Sequence, residues 1–279
     1  MIKYLKESFR RKRARRVTME YDSYVEVFNL EKDGAIEFAN WSNPLSPHII
    51  ITQSEVDFFR KFIKEGDLAI DIGANIGDTT VPMGLAAGKD GVTLGFDPNP
   101  FVFKVLGRNA AMNKDKTNII PLNFAISTTD DKYYYTSSEA SFANGGISLT
   151  KEQNHGKYLY PDMIRGVRLI DFLKENYAEH VSKLSFIKID TEGYDKEILK
   201  SISDLIAQYK PYIIAESFGK SSDDAKKELY DVIRKHNYDV FYFEDFRVDA
   251  KVTAIKSPEE MLSWQQATIN IYGVPVDAG

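Results

Sequence analysis

The residues that could do chemistry fall in two short stretches. The first is Asp71-Ile72-Gly73-Ala74-Asn75-Ile76-Gly77-Asp78, which follows an apolar run and opens a helical one. Gly73 permits a sharp turn without Cβ interference, and Gly77 lets the following helix pack close. A strand-to-helix turn of this kind is where an open α/β sheet receives its ligand. A dinucleotide loop would read G-x-G-x-x-G, with a middle glycine that admits a pyrophosphate. Here that position is Asn75, and the second glycine comes four residues after the first. The expected ligand therefore lacks a pyrophosphate. S-adenosylmethionine, which joins adenosine directly to an amino acid, suits the loop. Phe96-Asp97 ends the next apolar run, where a carboxylate can accept both ribose hydroxyls. Hydrogen bonds to a charged group are worth about 1.5–3 kcal/mol each.

The second stretch holds carboxylates. Asp190 ends the apolar run Leu184–Ile189, Glu192 lies two residues on, and Glu216 follows the run Tyr212–Ala215. Were S-adenosylmethionine bound, its methyl would leave by an in-line displacement that needs a nucleophile about 3 Å from the methyl carbon. A hydroxyl in that place would be a poor nucleophile until its proton is taken. Any of the three could act as base, or they could jointly hold Mg²⁺, which prefers carboxylates and water. Asp190 is expected beside the cofactor and Glu192 on the acceptor side, although a carboxylate at Glu192 could instead cap the following helix. His155, in a long polar loop, is a further candidate base. The four histidines offer no i, i+4 pair, so no histidine metal site is expected. The cofactor contacts expected from this reading are Asp71, Gly73, Ala74, Asn75, Gly77, Asp97, Asn123, Ala125 and Asp190.

These residues need elements to hold them. The head places Ile2, Leu5 and Phe9 at helical spacing among basic side chains, and Ser23–Leu30 and Ala35–Trp41 alternate around Lys32-Asp33-Gly34 as a hairpin does. Thr52 or Ser54 can cap a helix running to about Lys64. Short apolar runs then alternate with helices, the pattern of a parallel sheet. Strands are expected at Leu68–Ile72, Val92–Phe96, Ile119–Ala125, Lys132–Thr136, Leu184–Ile189, Tyr212–Ala215, Asp239–Phe243 and Thr268–Tyr272. Helices are expected at Thr79–Ala87, Phe101–Met112, within Val167–Asn176 after a strand edge, and at Asp195–Gln208 and Asp223–His236. The long irregular stretch 137–166 reads as a lid over the acceptor, with Tyr158 and Tyr160 placed to stack on a sugar face or to anchor the loop. Residues 1–50 form an extension and 51–279 the main domain. Gly84-Leu85-Ala86-Ala87-Gly88-Lys89 is one residue short of a P-loop and does not point to a nucleotide hydrolase.

The segment Lys188-Ile189-Asp190-Thr191-Glu192-Gly193-Tyr194-Asp195-Lys196-Glu197-Ile198-Leu199, with the Asp71 loop before it, resembles the FkbM-like methyltransferase family. That family pairs a D-x-G-A-N-x-G loop with a K-I-D-x-E-G-x-E-x-x-x-L segment. Leu169-Ile170-Asp171-Phe172-Leu173 and the stretch from Pro211 to Glu216 extend the likeness, which runs from about Gln53 to Glu216. Two positions depart from the usual pattern: Asp195 and Asp97 stand where the family more often has Glu. The resemblance implies an α/β class I methyltransferase fold, a Rossmann-like three-layer sandwich on a mostly parallel seven-stranded sheet with an antiparallel last strand. It also implies S-adenosylmethionine as cofactor and methylation of a hydroxyl oxygen, often on sugars or natural products.

Composition limits the alternatives. A hydrophobic fraction of 43% with 17 Phe and 16 Tyr among 279 residues allows a sizeable core. Cysteine is absent, which removes disulfides and thiol nucleophiles and makes the cytoplasm the expected compartment. No apolar stretch reaches membrane-spanning length. The net charge of −5 divides into about +7 on residues 1–16 and −12 on the rest. So acidic a body argues against a nucleic-acid partner. The basic head could touch a membrane surface or could be a solvated terminus. The expected partner is a small-molecule or glycan acceptor, and a homo-oligomer stays open. Two other functions remain at this level: a non-catalytic protein that only binds the cofactor, and a nicotinamide oxidoreductase, which Asn75 disfavours.

Overall fold

The computed structural model describes residues 2–151, 156–264 and 267–276. Helix α1 (Ile2–Ala14) leads into the hairpin β1 (Ser23–Leu30) and β2 (Gly34–Trp41), paired antiparallel about the expected turn. Thr52 caps α2 (Gln53–Phe59) through a capping box with Glu55. This helix is shorter than expected. After Phe59 the chain continues in tight turns, Lys61 N–H to the Phe58 carbonyl and Phe62 N–H to that of Phe59, which swing Phe62 and Ile63 into the core.

The alternation of strand and helix then follows: β3 (Leu68–Ile72), α3 (Thr80–Ala87), β4 (Val92–Phe96), α4 (Pro100–Ala111) and β5 (Ile119–Leu122). The chain next builds a small sheet from β6 (Ala125–Ile126), β7 (Lys132–Ser137), β8 (Gly146–Ser148), β9 (Tyr158–Leu159) and β10 (Ile164–Val167). The main sheet resumes through α5 (Leu169–Asn176), β11 (Leu184–Ile189), α6 (Asp195–Ser201), α7 (Ser203–Tyr209), β12 (Tyr212–Ser217), α8 (Asp223–Arg234), β13 (Tyr238–Phe243), β14 (Val252–Ile255) and β15 (Ile269–Pro275).

In the main sheet the strands lie in the order β5-β4-β3-β11-β12-β15-β13-β14. The first five run parallel, and β15 is inserted antiparallel between β12 and β13. This is the expected mostly parallel seven-stranded sheet with an antiparallel last strand, β15, and one addition: β14 pairs antiparallel with β13 as an eighth strand. It escapes the sequence pattern because three of its four residues are exposed, leaving one buried side chain, Ile255, to mark it. Alternation along the strands splits the core between two faces. Leu68, Ile70, Ile72, Ile187, Ile213 and Ala215 pack with Leu169, Ile198, Ile206 and Leu229 of α5 to α8. Ala69, Phe186 and Ile214 meet Phe58, Phe59 and Met83 of α2 and α3. The result is a three-layer sandwich.

Three further departures have local causes. The run Ile119–Ala125 is not one strand, because the chain leaves the main sheet after Leu122 and Ala125 pairs with Gly166 of β10 instead. The helix expected over Asp195–Gln208 breaks at Ile202, which takes φ −106° and ψ 18° just after the Ser201 hydroxyl donates to the Ile198 carbonyl. The stretch read as irregular, 137–166, contributes β8, β9 and β10 to the small sheet. The hairpin is joined to the main body by asparagines. Buried Asn109 of α4 donates to the carbonyls of Ala39 and Ile76 and accepts from the Ala39 N–H, and Asn113 makes a two-bond contact with the Glu37 backbone. Among the described residues no helix is long and apolar enough to cross a membrane.

Candidate active site

The order reverses between β3 and β11, whose connections leave on opposite sides, so a crevice opens at the carboxyl ends of these strands. Residues 73–75 and Asp190 meet there. Asp190 N–H donates to the Ile72 carbonyl at 2.9 Å, and Gly73 and Ala74 both donate to the Phe96 carbonyl at 2.9 Å. A Cβ on Gly73, at φ +81°, would lie 1.9 Å from the Asp190 carbonyl oxygen. Only glycine fits this approach. Gly77, at φ +98°, brings the loop against Leu106 of α4. Asn75 takes the left-handed φ of 46° that asparagine tolerates, and its N–H points at Asp97.

Asp97 is the hub of the β4 side. Its Oδ2 accepts the Asn75 N–H and its Oδ1 the Asn99 N–H, both at 2.8 Å, while Asn123 holds its backbone carbonyl. Burial pushes this carboxyl up to about 7 despite the two N–H donors. Asn99 in turn donates to the Phe142 carbonyl, and Phe142 stacks on Phe101 at 4.9 Å. Ala74 is buried, and so is Ala125, packed with Tyr135, Phe142 and Ile164 behind the site.

Asp71 sits deeper than a ligand contact requires. It is fully buried; its Oδ2 accepts the hydroxyls of Thr79 and Thr80 and its Oδ1 the Lys188 ammonium at 3.2 Å. Strand register explains the pair, since Lys188 of β11 lies directly beside Asp71 of β3. The geometry gives Asp71 the work of tying the loop and the start of α3 to β11. Burial opposes the Lys188 charge, but Asp71, Asp190 and Asp78 outweigh it and hold its pKa above the ordinary lysine value. Lys188 also reaches Asp190 Oδ2 at 3.4 Å. Its place at the centre of the site was not picked out from the sequence, although a lone charged residue between Ile187 and Ile189 of a mostly apolar strand was the signal available.

Three carboxylates follow at the ends of β11 and β12. Asp190 is partly exposed, and Glu192 is exposed at a left-handed φ of 56°, with Asn144 at 3.4 Å from its Oε1. Glu216 is more enclosed: its Oε2 is buried with no hydrogen-bond partner. Burial, then Asp190, Asp195 and Glu192, push its carboxyl up to about 8. Asp195 is structural. It accepts the Thr191 hydroxyl, the Thr191 and Gly193 N–H groups and the Glu216 N–H, and so fixes the loop that carries Glu192. Burial, partly offset by these donors, brings the Asp195 carboxyl to about 6. Tyr135, from the small sheet, is buried near Asp97, Asn99 and Glu192; burial raises its phenol well above the usual range. His155 lies outside the described residues. Among the described residues no group of three or more His, Asp or Glu side chains is arranged to hold a metal ion.

The arrangement is thus a crevice rimmed by Asp78, Asp97, Asp190, Glu192 and Glu216, whose buried lysine is already engaged by Asp71 and Asp190. The chain is 25% identical over 180 residues to the hexuronic acid methyltransferase AglP of Haloferax volcanii, covering 63% of this chain and 68% of that protein. Among solved structures it is similar to an FkbM methyltransferase from Methylobacillus flagellatus, with a TM-score of 0.46 and 16% identity, covering 76% of this chain but only 44% of the other. It is also similar to an S-adenosylmethionine-dependent O-methyltransferase from Thermotoga maritima, with a TM-score of 0.39 and 9% identity over 91% of this chain and 78% of that one. The model of the methyltransferase FkbM domain matches residues 71–240, from the glycine loop through β13. Covering more than half of the chain and both motif segments of the crevice, that match makes this protein a member of the FkbM methyltransferase family.

Proposed function

We propose that this methyltransferase moves the methyl group of S-adenosylmethionine to a hydroxyl oxygen of a carbohydrate, a glycan precursor or a natural product. The observation that carries the reading is the meeting of Asp97, Asp190 and Glu216 at the carboxyl ends of β4, β11 and β12, on either side of the glycine loop after β3, with Glu216 Oε2 buried and unpartnered. The residues present fit the cofactor. A carboxylate has about four acceptor directions, and the Asn75 and Asn99 N–H groups occupy one on each Asp97 oxygen, leaving one on each for a ribose diol. The acidic rim suits a cation, and the close approach at Gly73 keeps the loop floor open to an adenosine-bearing ligand. Bound there, S-adenosylmethionine supplies an electrophilic methyl on a sulfonium sulfur.

The chain's own residues do the rest. Asp97 holds the ribose, Asn123 steadies Asp97, and Asp190 lies beside the sulfonium. Glu216 takes the acceptor's hydroxyl proton as the oxygen–carbon bond forms and the carbon–sulfur bond breaks, its pKa near 8 leaving it basic enough for the task. A cation nearby draws the same carboxyl toward its ionised form. Glu192 and Asn144 lie on the acceptor side, and Tyr158 and Tyr160, half-buried against Tyr135, Phe142 and Ile164, are the sugar-stacking candidates there. The hexuronic acid in the name of AglP supports a sugar acceptor.

The test is transfer of labelled methyl from S-adenosylmethionine into uronic-acid oligosaccharides, with the methylated position found by mass spectrometry. Incorporation at a hydroxyl is expected. A melting temperature raised by nicotinamide dinucleotide but not by S-adenosylhomocysteine would refute the cofactor; binding without any methylation would refute the enzyme.

A further inference from the structure

Helix α1 is unlike the other helices. From Leu5 to Arg13 every position is exposed, and among the described side chains of the helix only Ala14 is buried. A helix of 13 residues whose described side chains from Leu5 to Arg13 pack against nothing is marginal in water. Leu5 and Phe9, one turn apart, are 59% and 68% exposed. At about 100° per residue, Ala14 lies roughly half a turn around from Leu5, so the apolar pair faces away from the body on which Ala14 docks. By the same angles Lys6 and Arg13 flank the pair on one side and Lys12 on the other. The eight basic side chains of residues 1–16 belong to a chain whose remainder is acidic, so an anionic surface is attracted by this helix and repelled by the body.

The helix is fastened to the acceptor side of the crevice. Ser141 N–H donates to the Ala14 carbonyl at 3.0 Å and Ala140 N–H to that of Arg15 at 3.3 Å. The same loop continues to Phe142, held by Asn99, and to Asn144 beside Glu192. We propose that α1 is an interfacial helix that docks this chain on an anionic lipid surface. Leu5 and Phe9 enter the headgroup region while the lysines and arginines pair with lipid phosphates, and the acceptor side of the crevice is held near that surface. Exposed Leu5 favours lipid over a nucleic-acid backbone, which offers an aliphatic side chain nothing to bury in.

Docking is separable from methyl transfer and is tested without it. The full chain is sedimented with vesicles of phosphatidylcholine alone or of phosphatidylcholine and phosphatidylglycerol in equal parts. Binding only to the anionic vesicles, weakened by salt, is expected. The double variant Leu5→Ser/Phe9→Ser, which keeps every charge, should bind them about tenfold or more weakly, with unchanged melting temperature and S-adenosylhomocysteine affinity. Failure to bind anionic vesicles at low salt overturns the proposal. So does undiminished binding by the double variant, or equal binding to the neutral vesicles.

Discussion

Replacing Gly73 by alanine isolates the contact on which the crevice depends. Two costs arise. The first is backbone: φ at Gly73 is +81°, and an L-residue held in the left-handed region pays roughly 1–2 kcal/mol. The second is steric. The new methyl would lie 1.9 Å from the Asp190 carbonyl oxygen and 2.9 Å from its carbon. Neither can retreat alone, since Asp190 N–H is bonded to the Ile72 carbonyl. Forcing an extra methyl into packed surroundings costs about 1–3 kcal/mol, so the whole change should remove about 2–5 kcal/mol from a fold whose expected total is about 5–15 kcal/mol. Gly66→Ala is the matched control, because Gly66 has φ +89° and no atom within 4 Å of its added methyl. It should lose only the backbone part. Urea denaturation of both variants gives the two costs, and calorimetric titration with S-adenosylhomocysteine reads the site, where Gly73→Ala alone should bind at least about tenfold more weakly. Equal destabilisation by both substitutions, with cofactor affinity intact in Gly73→Ala, would show that the loop does not rely on touching Asp190.

Other substitutions probe the charges. Lys188→Met strands the buried Asp71 carboxylate and should cost about 3–5 kcal/mol in urea, with part recovered in the double variant Lys188→Met/Asp71→Asn. Asp97→Ala should weaken S-adenosylhomocysteine binding more than tenfold, about 1.4 kcal/mol or more, in the same titration. Glu216→Gln should leave that affinity within about twofold but lower kcat by about 10²–10⁴; if Glu192→Ala shows the larger loss of kcat, the base is Glu192. The melting temperature should also fall as pH rises. Burial raises the folded-state pKa of Asp78 and Asp195 to about 6, Asp97 to about 7 and Glu216 to about 8, against unfolded values of about 4. Their protonated forms favour the fold, so this stabilisation is full below about pH 4 and is lost progressively between about pH 4 and 8 as each group passes its folded-state pKa. Glu228, held down at about 2 by Lys196 and Lys200, acts oppositely, and its stabilisation fades only below about pH 4. A melting temperature that climbed steadily from pH 5 to 8.5 would contradict this, and Glu216→Gln should flatten the upper part of the curve.

Periodicity and spacing carried a large part of the molecule. Leu68–Ile72, Val92–Phe96 and Leu184–Ile189 stand in the structure with the bounds read from their apolar runs, because these strands are almost wholly buried and their few polar side chains, such as Asp71 and Lys188, pair inside the fold. The glycine loop was legible for a like reason: φ of +81° and +98° at Gly73 and Gly77 is a local demand that only glycine meets cheaply. The acids Asp97, Asp190 and Glu192 could be named, since each follows a strand and so must emerge at the same edge of a parallel sheet. Their division of labour could not. That Asp71 is enclosed by Thr79, Thr80 and Lys188, that Asp195 anchors the Glu192 loop, and that Glu216 keeps a buried oxygen without a partner depend on strand register and on burial. Register pairs residues more than a hundred positions apart in the chain, as Lys188 with Asp71. The sequence by itself therefore determined the elements, the ligand-bearing loop and the set of acids. Only the tertiary structure decided which acid is enclosed by protein donors and which is left free to act, because desolvation and long-range charge exist only once the chain has closed around them.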